Sequence, residues 1–257
     1  MCHQRNSRVP CCMLTMTLDE ADVLLHYYER SFVKVEQYMD VEVVRQALAT
    51  MPYVTKQNLG VLLNVSPATL DYRARRMQKT GVLIPIRAGL YVPSQSWQAA
   101  GTTPAGRQRF LEYLSGIVRF PSYISLEYVL ERAGLIPESP FTITCVTQKT
   151  PRVYTTSIGT FIYRQIRRPE LSAGYNIVAY QGLEVAIASA GKALFDTLYL
   201  RPFKTAQDMG DYLLETGRFN WEALAPRDRR TFVALVRKTG IPKMKHILTL
   251  LQKEKII

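Results

Sequence analysis

The sequence predicts an α+β fold, and three observations support that prediction. Residues 39–93 show helical signals followed by two short β-like runs. Apolar, β-branched runs between residues 141 and 180 predict a small sheet, and the last 75 residues predict a mostly helical C-terminal part. No run of 18 apolar residues occurs in the sequence, so no membrane-spanning helix is expected. We therefore expect a small N-terminal domain followed by a larger mixed domain.

The first 38 residues are predicted to lie outside these two domains. Residues 1–16 carry a short apolar stretch broken by proline, cysteine and threonine, and we expect either a disordered tail or residues upstream of a start at Met16. Thr17 has Glu20 three residues later, which is the spacing of a capping box. A helix is therefore predicted over residues 17–38, and it is a candidate element for a homodimer.

The charge balance and the cysteines indicate the kind of partner and environment to expect. The chain has 33 Lys and Arg against 21 Asp and Glu, a formal net charge of +12. Such an excess suits a polyanion, usually nucleic acid, although a basic protein without such a partner is as common. Four cysteines are too few for a disulfide framework in 257 residues, so reduced thiols and a cytoplasmic location are expected.

Residues 39–93 contain the clearest succession of local signals. Thr55 and Ser66 are each placed to cap a helix, and Pro67 occupies the first position of the second one. A tight turn separates the two helices, and Gly81 ends the second. The helices predicted here cover residues 40–51, 56–63 and 67–79.

A β-hairpin is predicted next, from β-like runs at residues 82–86 and 90–92 joined by Arg87, Ala88 and Gly89. The order of helix, tight turn, helix and hairpin is that of a winged helix-turn-helix. In that motif the second helix enters the major groove of duplex DNA. Residues 39–93 are therefore predicted to form a DNA-binding domain.

The helix predicted over residues 67–79 has two different faces. At 100° per residue, Leu70, Ala74 and Met77 fall in one narrow arc, which we expect to pack inward. The opposite arc is basic and polar. Alone, such a face is more typical of a solvated helix, but combined with the short turn, the cap and the Arg-tipped hairpin it favours DNA binding. The candidate DNA contacts are Lys56, Ser66, Ala68, Thr69, Tyr72, Arg73, Arg75, Arg76, Lys79 and Arg87.

Roles for several of these residues follow from their hydrogen-bonding groups. Arg75 and Arg76 have the donors for guanine O6 and N7 or for phosphate, and Thr69 near the helix start is placed for base edges. Lys56 is expected to touch a backbone phosphate, and Arg87 to reach the backbone or minor groove from the hairpin tip. Charge alone does not exclude RNA, but the motif favours double-stranded DNA.

The rest of the chain is predicted to form a second domain. Residues 94–108 are small and polar with Gly and Pro, and are predicted to be a linker to an α+β domain at residues 109–257. The strands expected there cover residues 141–147, 152–155, 159–166 and 176–180. The helices expected there cover residues 110–118, 126–133, 183–200, 205–216, 221–224, 227–239 and 242–253.

The residues do not indicate catalysis. No two carboxylates have catalytic or metal-binding spacing, and His26 and His246 lie on predicted helices away from cysteines and acidic clusters. We therefore expect no catalytic residue, metal site or cofactor. Two alternatives stay open, a nucleic-acid-processing enzyme and a regulator that senses a small molecule. The sensor would use aromatic residues of the strands to line a pocket, namely Tyr154, Phe161, Tyr163, Tyr175 and Tyr180.

Several short blocks occur in a specific order along the chain. Residues 53–55, 66–70, 81–83 and 87–91 read YVT, SPATL, GVL and RAGLY, and residues 121–127 read PSYISLE. Further blocks are AGLI at residues 133–136, ITCVT at 143–147 and ASAGKALFDTLYL at 188–200. Together they resemble the AbiEi family of antitoxins and transcriptional regulators of abortive-infection systems, over roughly residues 40–200. Ala190 and Gly191 stand where that family has Pro-Glu.

The resemblance implies a repressor that is also an antitoxin. The DNA-binding domain would repress the protein's own operon at inverted repeats. The C-terminal domain would act against a co-encoded nucleotidyltransferase toxin, with or without a stable complex. Lys192 and Asp196 are four residues apart on one helix, and we interpret them as an intrahelical pair or as a polar patch that binds a partner, the pair being favoured.

Overall fold

A computed structural model describes residues 43–137, 142–171, 174–180 and 182–257. The tail predicted at residues 1–16 and the helix predicted at residues 17–38 lie outside the described residues. The chain divides into two compact units, Met1–Thr50 and Met51–Ile257. In the first unit, residues 43–49 are helical and form α1. All other elements belong to the second unit, and the α+β class predicted from the sequence is confirmed.

The second unit begins with two helices and a three-stranded antiparallel sheet. The helices are α2 (Lys56–Leu63) and α3 (Pro67–Lys79), and the strands are β1 (Val54–Thr55), β2 (Leu83–Arg87) and β3 (Leu90–Pro93). The strand order is β1-β3-β2, with Val54 opposite Tyr91 and Ile84 opposite Val92. The two predicted helices and the hairpin are therefore confirmed, while β1 was not predicted.

Side-chain caps fix where α2 and α3 begin. Thr55 accepts a hydrogen bond from the Asn58 amide at 3.1 Å, and Ser66 accepts one from the Thr69 amide at 3.4 Å. Between the helices Asn64 takes a left-handed conformation, with φ of 47°. Asn tolerates that region better than most residues, so it ends α2 and lets the chain turn within three residues.

The linker predicted at residues 94–108 is wrong, because helices occupy most of it. The two helices are α4 (Ser94–Ala100) and α5 (Pro104–Val118). Thr103 caps α5 by accepting from the Gly106 amide at 3.0 Å, and Trp97 packs against Phe110 with ring centroids 6.0 Å apart. The small polar residues that suggest a loop therefore belong to α4 and to the start of α5. Tertiary packing stabilises these helices, and the local sequence does not indicate that packing.

A six-stranded mixed sheet lies at the centre of the second unit. Its strands are β4 (Ser122–Ile124), β5 (Thr142–Thr147), β6 (Arg152–Thr156), β7 (Gly159–Gln165), β8 (Tyr175–Tyr180) and β9 (Leu183–Ala188), in the order β6-β7-β5-β4-β9-β8. The pairs β5–β7 and β4–β9 are parallel and the others antiparallel. The sequence did not predict β4 or β9.

The helix predicted over residues 183–200 is wrong in its first part. Residues 183–188 form β9, and the helix α7 (Ala190–Leu200) begins after Ser189, which caps it by accepting from the Lys192 amide at 3.3 Å. A short apolar run fits both a buried strand and a helix, and the pairing of β9 with β8 decides between them.

The remaining helices include three that pack against α7. They are α6 (Glu127–Arg132), α8 (Ala206–Asp211), a π-helical turn (Tyr212–Thr216), a 3-10 turn (Trp221–Ala223), α9 (Pro226–Thr239) and α10 (Pro242–Lys253). α7 packs against α6, α9 and α10. Among the described helices, none is long and apolar enough to cross a membrane.

One hydrophobic core joins the hairpin to the larger sheet and its helices. Ile86, Leu90 and Val92 of the hairpin belong to the same buried cluster as Phe161 and Phe195. Burial of such side chains contributes about 1.5–3 kcal/mol each. The hairpin is therefore anchored on the rest of the second unit through Ile86, Leu90 and Val92, and α3 packs on β2.

Candidate nucleic-acid interface

Helix α3 has one buried face and one exposed face. Leu70 and Ala74 are buried, as predicted, Met77 is half-buried, and α3 packs against α2. The two helices lie close, since a Cβ at Gly60 would sit 3.1 Å from the Leu70 side chain. The predicted contact residues on the other face are all exposed, namely Ser66, Ala68, Thr69, Tyr72, Arg73, Arg75, Arg76 and Lys79.

The exposed face of α3 carries four cations within seven residues. Arg73, Arg76 and Lys79 form no salt bridge with any residue that the structure describes. Arg75 lies near enough to Asp71 to help lower the pKa of that carboxyl group, although the main cause is a hydrogen bond from Lys56. Tyr72 is 66% exposed, an unusual position for a large aromatic side chain on a solvated helix. The face is thus basic, largely without internal partners, and interrupted by one flat apolar ring.

Lys56 has a partner within the protein. Its ammonium group lies 2.6 Å from the Asp71 carboxylate, so it bridges the start of α2 to α3. Both side chains are about half exposed, and solvent weakens an ion pair in such a position. A phosphate would therefore compete with Asp71 for Lys56, and Lys56 is a weaker candidate contact than the arginines of α3.

Two of the predicted contacts also hold the start of α3. The Ser66 hydroxyl accepts from the Thr69 amide and lies 3.1 Å from the Thr69 hydroxyl. Both side chains are exposed, so the pair presents two hydroxyl groups at the N-terminal end of α3. Ser66 is thus primarily a capping residue, and Thr69 retains hydrogen-bonding capacity.

The structure contradicts the prediction that Arg87 projects from the hairpin tip. Arg87 is the last residue of β2, and the tip consists of Ala88 and Gly89. Its Nε donates to the Val118 carbonyl at 2.9 Å, and its Nη1 donates to the Ala88 carbonyl at 3.2 Å. The last carbonyls of a helix have no donor within the helix, so the end of α5 attracts this guanidinium group.

Lys192 and Asp196 are fully buried and form one network with their neighbours. Lys192 Nζ donates to Asp196 Oδ1, to the Tyr123 hydroxyl at 3.0 Å and to the Leu171 carbonyl at 2.6 Å. Asp196 Oδ2 accepts from Tyr123 at 2.9 Å and from Ser125 at 2.8 Å. All three ammonium hydrogens and both carboxylate oxygens are therefore used.

Burial controls the electrostatics of this network. It lowers the pKa of Lys192 and raises that of Asp196, since both charged forms lose hydration, while the attraction between the two opposes each shift. Burial also raises the pKa of Tyr123, which stays a neutral donor. The prediction that Lys192 and Asp196 form a polar patch for a partner is wrong, because neither side chain has any exposed surface. They form the intrahelical pair instead.

Two members of the network could not be assigned from the sequence. Ser125 was expected to cap a helix at residue 126, but its hydroxyl bonds to Asp196, and α6 begins one residue later, after Leu126. Tyr123 lies on the unpredicted strand β4. The pairing of β4 with β9 brings both residues over α7, and no local signal records that pairing.

The aromatic residues proposed to line a ligand pocket lie in different surroundings where the structure describes their side chains. Phe161 and Tyr163 are buried in the core, and the Tyr163 hydroxyl donates to the Ser115 carbonyl at 2.6 Å. Tyr175 is 42% exposed and stacks on Tyr123, with centroids 4.9 Å apart. The side chain of Tyr180 lies outside the described part of the chain. These aromatics therefore support the sheet.

Comparison with known proteins assigns no family to this chain. Neither models of protein families nor curated protein sequences give a match. The geometry of α3 and its surroundings is therefore the basis on which a function is proposed, and the likeness to antitoxins of the AbiEi family stays an expectation.

Proposed function

We propose that this protein is a sequence-specific regulator that binds double-stranded DNA, with residues 54–93 forming a winged helix-turn-helix. One observation carries the proposal, the exposed basic face of the 13-residue helix α3. The major groove of DNA is wide enough to admit an α-helix, and a helix with one anchored face and one basic face fits it. Three of the four cations on this face, Arg73, Arg76 and Lys79, form no salt bridge within the described residues, which is more than a merely solvated helix requires.

In this proposal α3 is the recognition helix. Arg75 and Arg76 supply bidentate donors for guanine, while Arg73 and Lys79 neutralise flanking phosphates. Thr69 stands at the N-terminal end of the helix, which is the end that meets base edges in helix-turn-helix proteins. Arg87 takes no part, because its guanidinium is held by the end of α5.

The biological setting is proposed from the family resemblance. We infer a cytoplasmic repressor of its own operon, bound at inverted repeats either as a homodimer or as two adjacent monomers. The second role is that of an antitoxin against a co-encoded nucleotidyltransferase. The ordered sequence blocks support this setting, and the internal position of Lys192 and Asp196 removes those two residues as direct contacts to a toxin.

The proposal is tested by titrating the purified protein on two labelled duplexes of equal length, one from its own upstream region and one unrelated. Binding is measured at two salt concentrations. We expect tighter binding to the upstream duplex, with affinity for both duplexes falling as salt rises, because bound phosphates release counterions. Equal affinity for the two duplexes at both salt concentrations would contradict sequence-specific regulation.

A further inference from the structure

A second basic surface lies on α9, outside the segment proposed to read DNA. Residues 226–257 contain nine Lys and Arg against two acidic residues. The exposed positions of α9 are spaced by three or four residues, which places them on one face of the helix. They are Arg227, Arg230, Ala234, Arg237 and Lys238, and Pro226 is also exposed at the start of the helix. We name the four cations among them the α9 stripe.

The buried residues of α9 and its acidic residue, Asp228, face away from the stripe. Phe232 and Val236 are buried against the core. Asp228 points away from the stripe and accepts from the Gly191 amide at 3.0 Å, at the start of α7. Arg229 also points inward, and its guanidinium donates to the Leu224 and Trp221 carbonyls at 2.9 and 3.2 Å.

The stripe cations have no ionic partner within the described residues. None of the four forms a salt bridge there, in contrast to Arg132, Arg164 and Lys192. At the end of α9 the surface continues onto α10, because the Lys245 ammonium lies 3.9 Å from where a Cβ of Gly240 would stand. Four like charges kept together over about 16 Å of helix repel one another, so an anionic partner would stabilise them.

We propose that the α9 stripe is a second nucleic-acid contact that binds the phosphate backbone of duplex DNA without reading sequence. The proposal rests on the proposed function, in that the chain binds duplex DNA. The stripe length corresponds to about five base pairs, and the exposed residue between Arg230 and Arg237 is the small Ala234, so phosphates could approach all four cations. A membrane-binding face would instead carry large apolar side chains beside the cations, and α9 exposes none.

The test compares two variants with the same loss of charge. The stripe variant carries Arg227→Gln, Arg230→Gln, Arg237→Gln and Lys238→Gln. The control variant carries Lys149→Gln, Arg167→Gln, Lys204→Gln and Arg218→Gln, which are exposed cations in loops away from α9. Affinity for the upstream and the unrelated duplex is measured over a range of salt concentrations, after thermal unfolding has shown that both variants fold.

In the stripe variant we expect the salt dependence of DNA affinity to change, while the preference for the upstream over the unrelated duplex does not. Each lost phosphate contact reduces the slope of log affinity against log salt by about 0.9, so the stripe variant should lose about 2 to 4 units of slope on both duplexes. The control variant should keep the wild-type slope. The ratio of the two affinities should stay at its wild-type value in both variants.

Two results would overturn the inference. An unchanged slope in the stripe variant would show that α9 does not touch phosphate. An equal reduction in both variants would show that only the net charge matters. The proposed function is judged separately, by the preference of the wild-type protein for the upstream duplex. A reduced slope in the stripe variant alone, together with no such preference, would retain the α9 contact and remove sequence-specific regulation.

Discussion

At the scale of single residues, the buried pair of Lys192 and Asp196 has the largest energetic consequence. Removing one partner of a buried ion pair leaves a charge without compensation, which costs about 3–5 kcal/mol. Replacing both with apolar residues of similar size removes the uncompensated charge, although the Tyr123 and Ser125 hydroxyls and the Leu171 carbonyl then lose these partners. The network of Tyr123 and Ser125 around the pair is fully hydrogen-bonded, so every member depends on the Asp196 carboxylate.

We therefore expect Asp196→Leu to lower the free energy of unfolding by about 3–5 kcal/mol. The double variant Lys192→Met with Asp196→Leu should recover part of that loss, because no charge is then stranded. Urea unfolding of the wild type and both variants measures the difference. A double variant as unstable as Asp196→Leu alone would show that packing, and not the stranded ammonium group, sets the cost.

At the scale of elements, a glycine allows α7 and α9 to meet. A Cβ at Gly191 would lie 2.1 Å from the Asp228 backbone oxygen, which cannot move without shifting α9. The two helices thus approach here at backbone distance, and the Asp228 carboxylate caps the start of α7.

Gly191→Ala should therefore lower the free energy of unfolding by about 1–3 kcal/mol, the usual cost of overpacking. Gly116→Ala on α5 is the matched control, since nothing lies within 4 Å of its Cβ position. Alanine there should leave stability unchanged or raise it by about 0.4–1 kcal/mol. Equal effects of the two substitutions on the unfolding midpoint would contradict the close approach of α7 and α9.

Substitutions at Ser66, the cap of α3, test the stability of the helix and its proposed contact with DNA separately. Ser66→Ala removes the acceptor for the Thr69 amide and should cost about 1 kcal/mol of unfolding free energy. Ser66→Asp retains a capping acceptor but places a negative charge beside the proposed phosphates. We expect Ser66→Asp to keep wild-type stability and to bind the upstream duplex more weakly. Wild-type affinity in that variant would remove the start of α3 from the interface.

At the scale of the whole molecule, the features that could be predicted from the sequence are those determined by residues close together in the chain. The caps at Thr55 and Ser66, the turn between α2 and α3 and the two faces of α3 are local properties, and all were predicted. The direction of Arg87, the strand at residues 183–188 and the burial of Lys192 depend on α5, β8 and β4, which are distant in sequence. No local pattern records those partners, so these features appeared only in the structure.

The shared core has a consequence for how the molecule works. Because the hairpin packs into the same cluster as the large sheet, α3 is held on a scaffold of more than 200 residues, Met51–Ile257, and not on an independent domain. In the proposed function, a recognition helix fixed in this way would be preorganised for one docking geometry, which would reduce the conformational entropy lost on binding.

The most direct test of the account is the preference of an Arg75→Ala, Arg76→Ala variant for the upstream duplex over the unrelated one. Each bidentate arginine–guanine contact discriminates by about 1–3 kcal/mol, so the preference should fall at least about tenfold while the unfolding midpoint stays at its wild-type value. The control variant Lys149→Ala, Arg167→Ala should keep the wild-type preference. An undiminished preference in the folded α3 variant would contradict the assignment of α3 as the recognition helix.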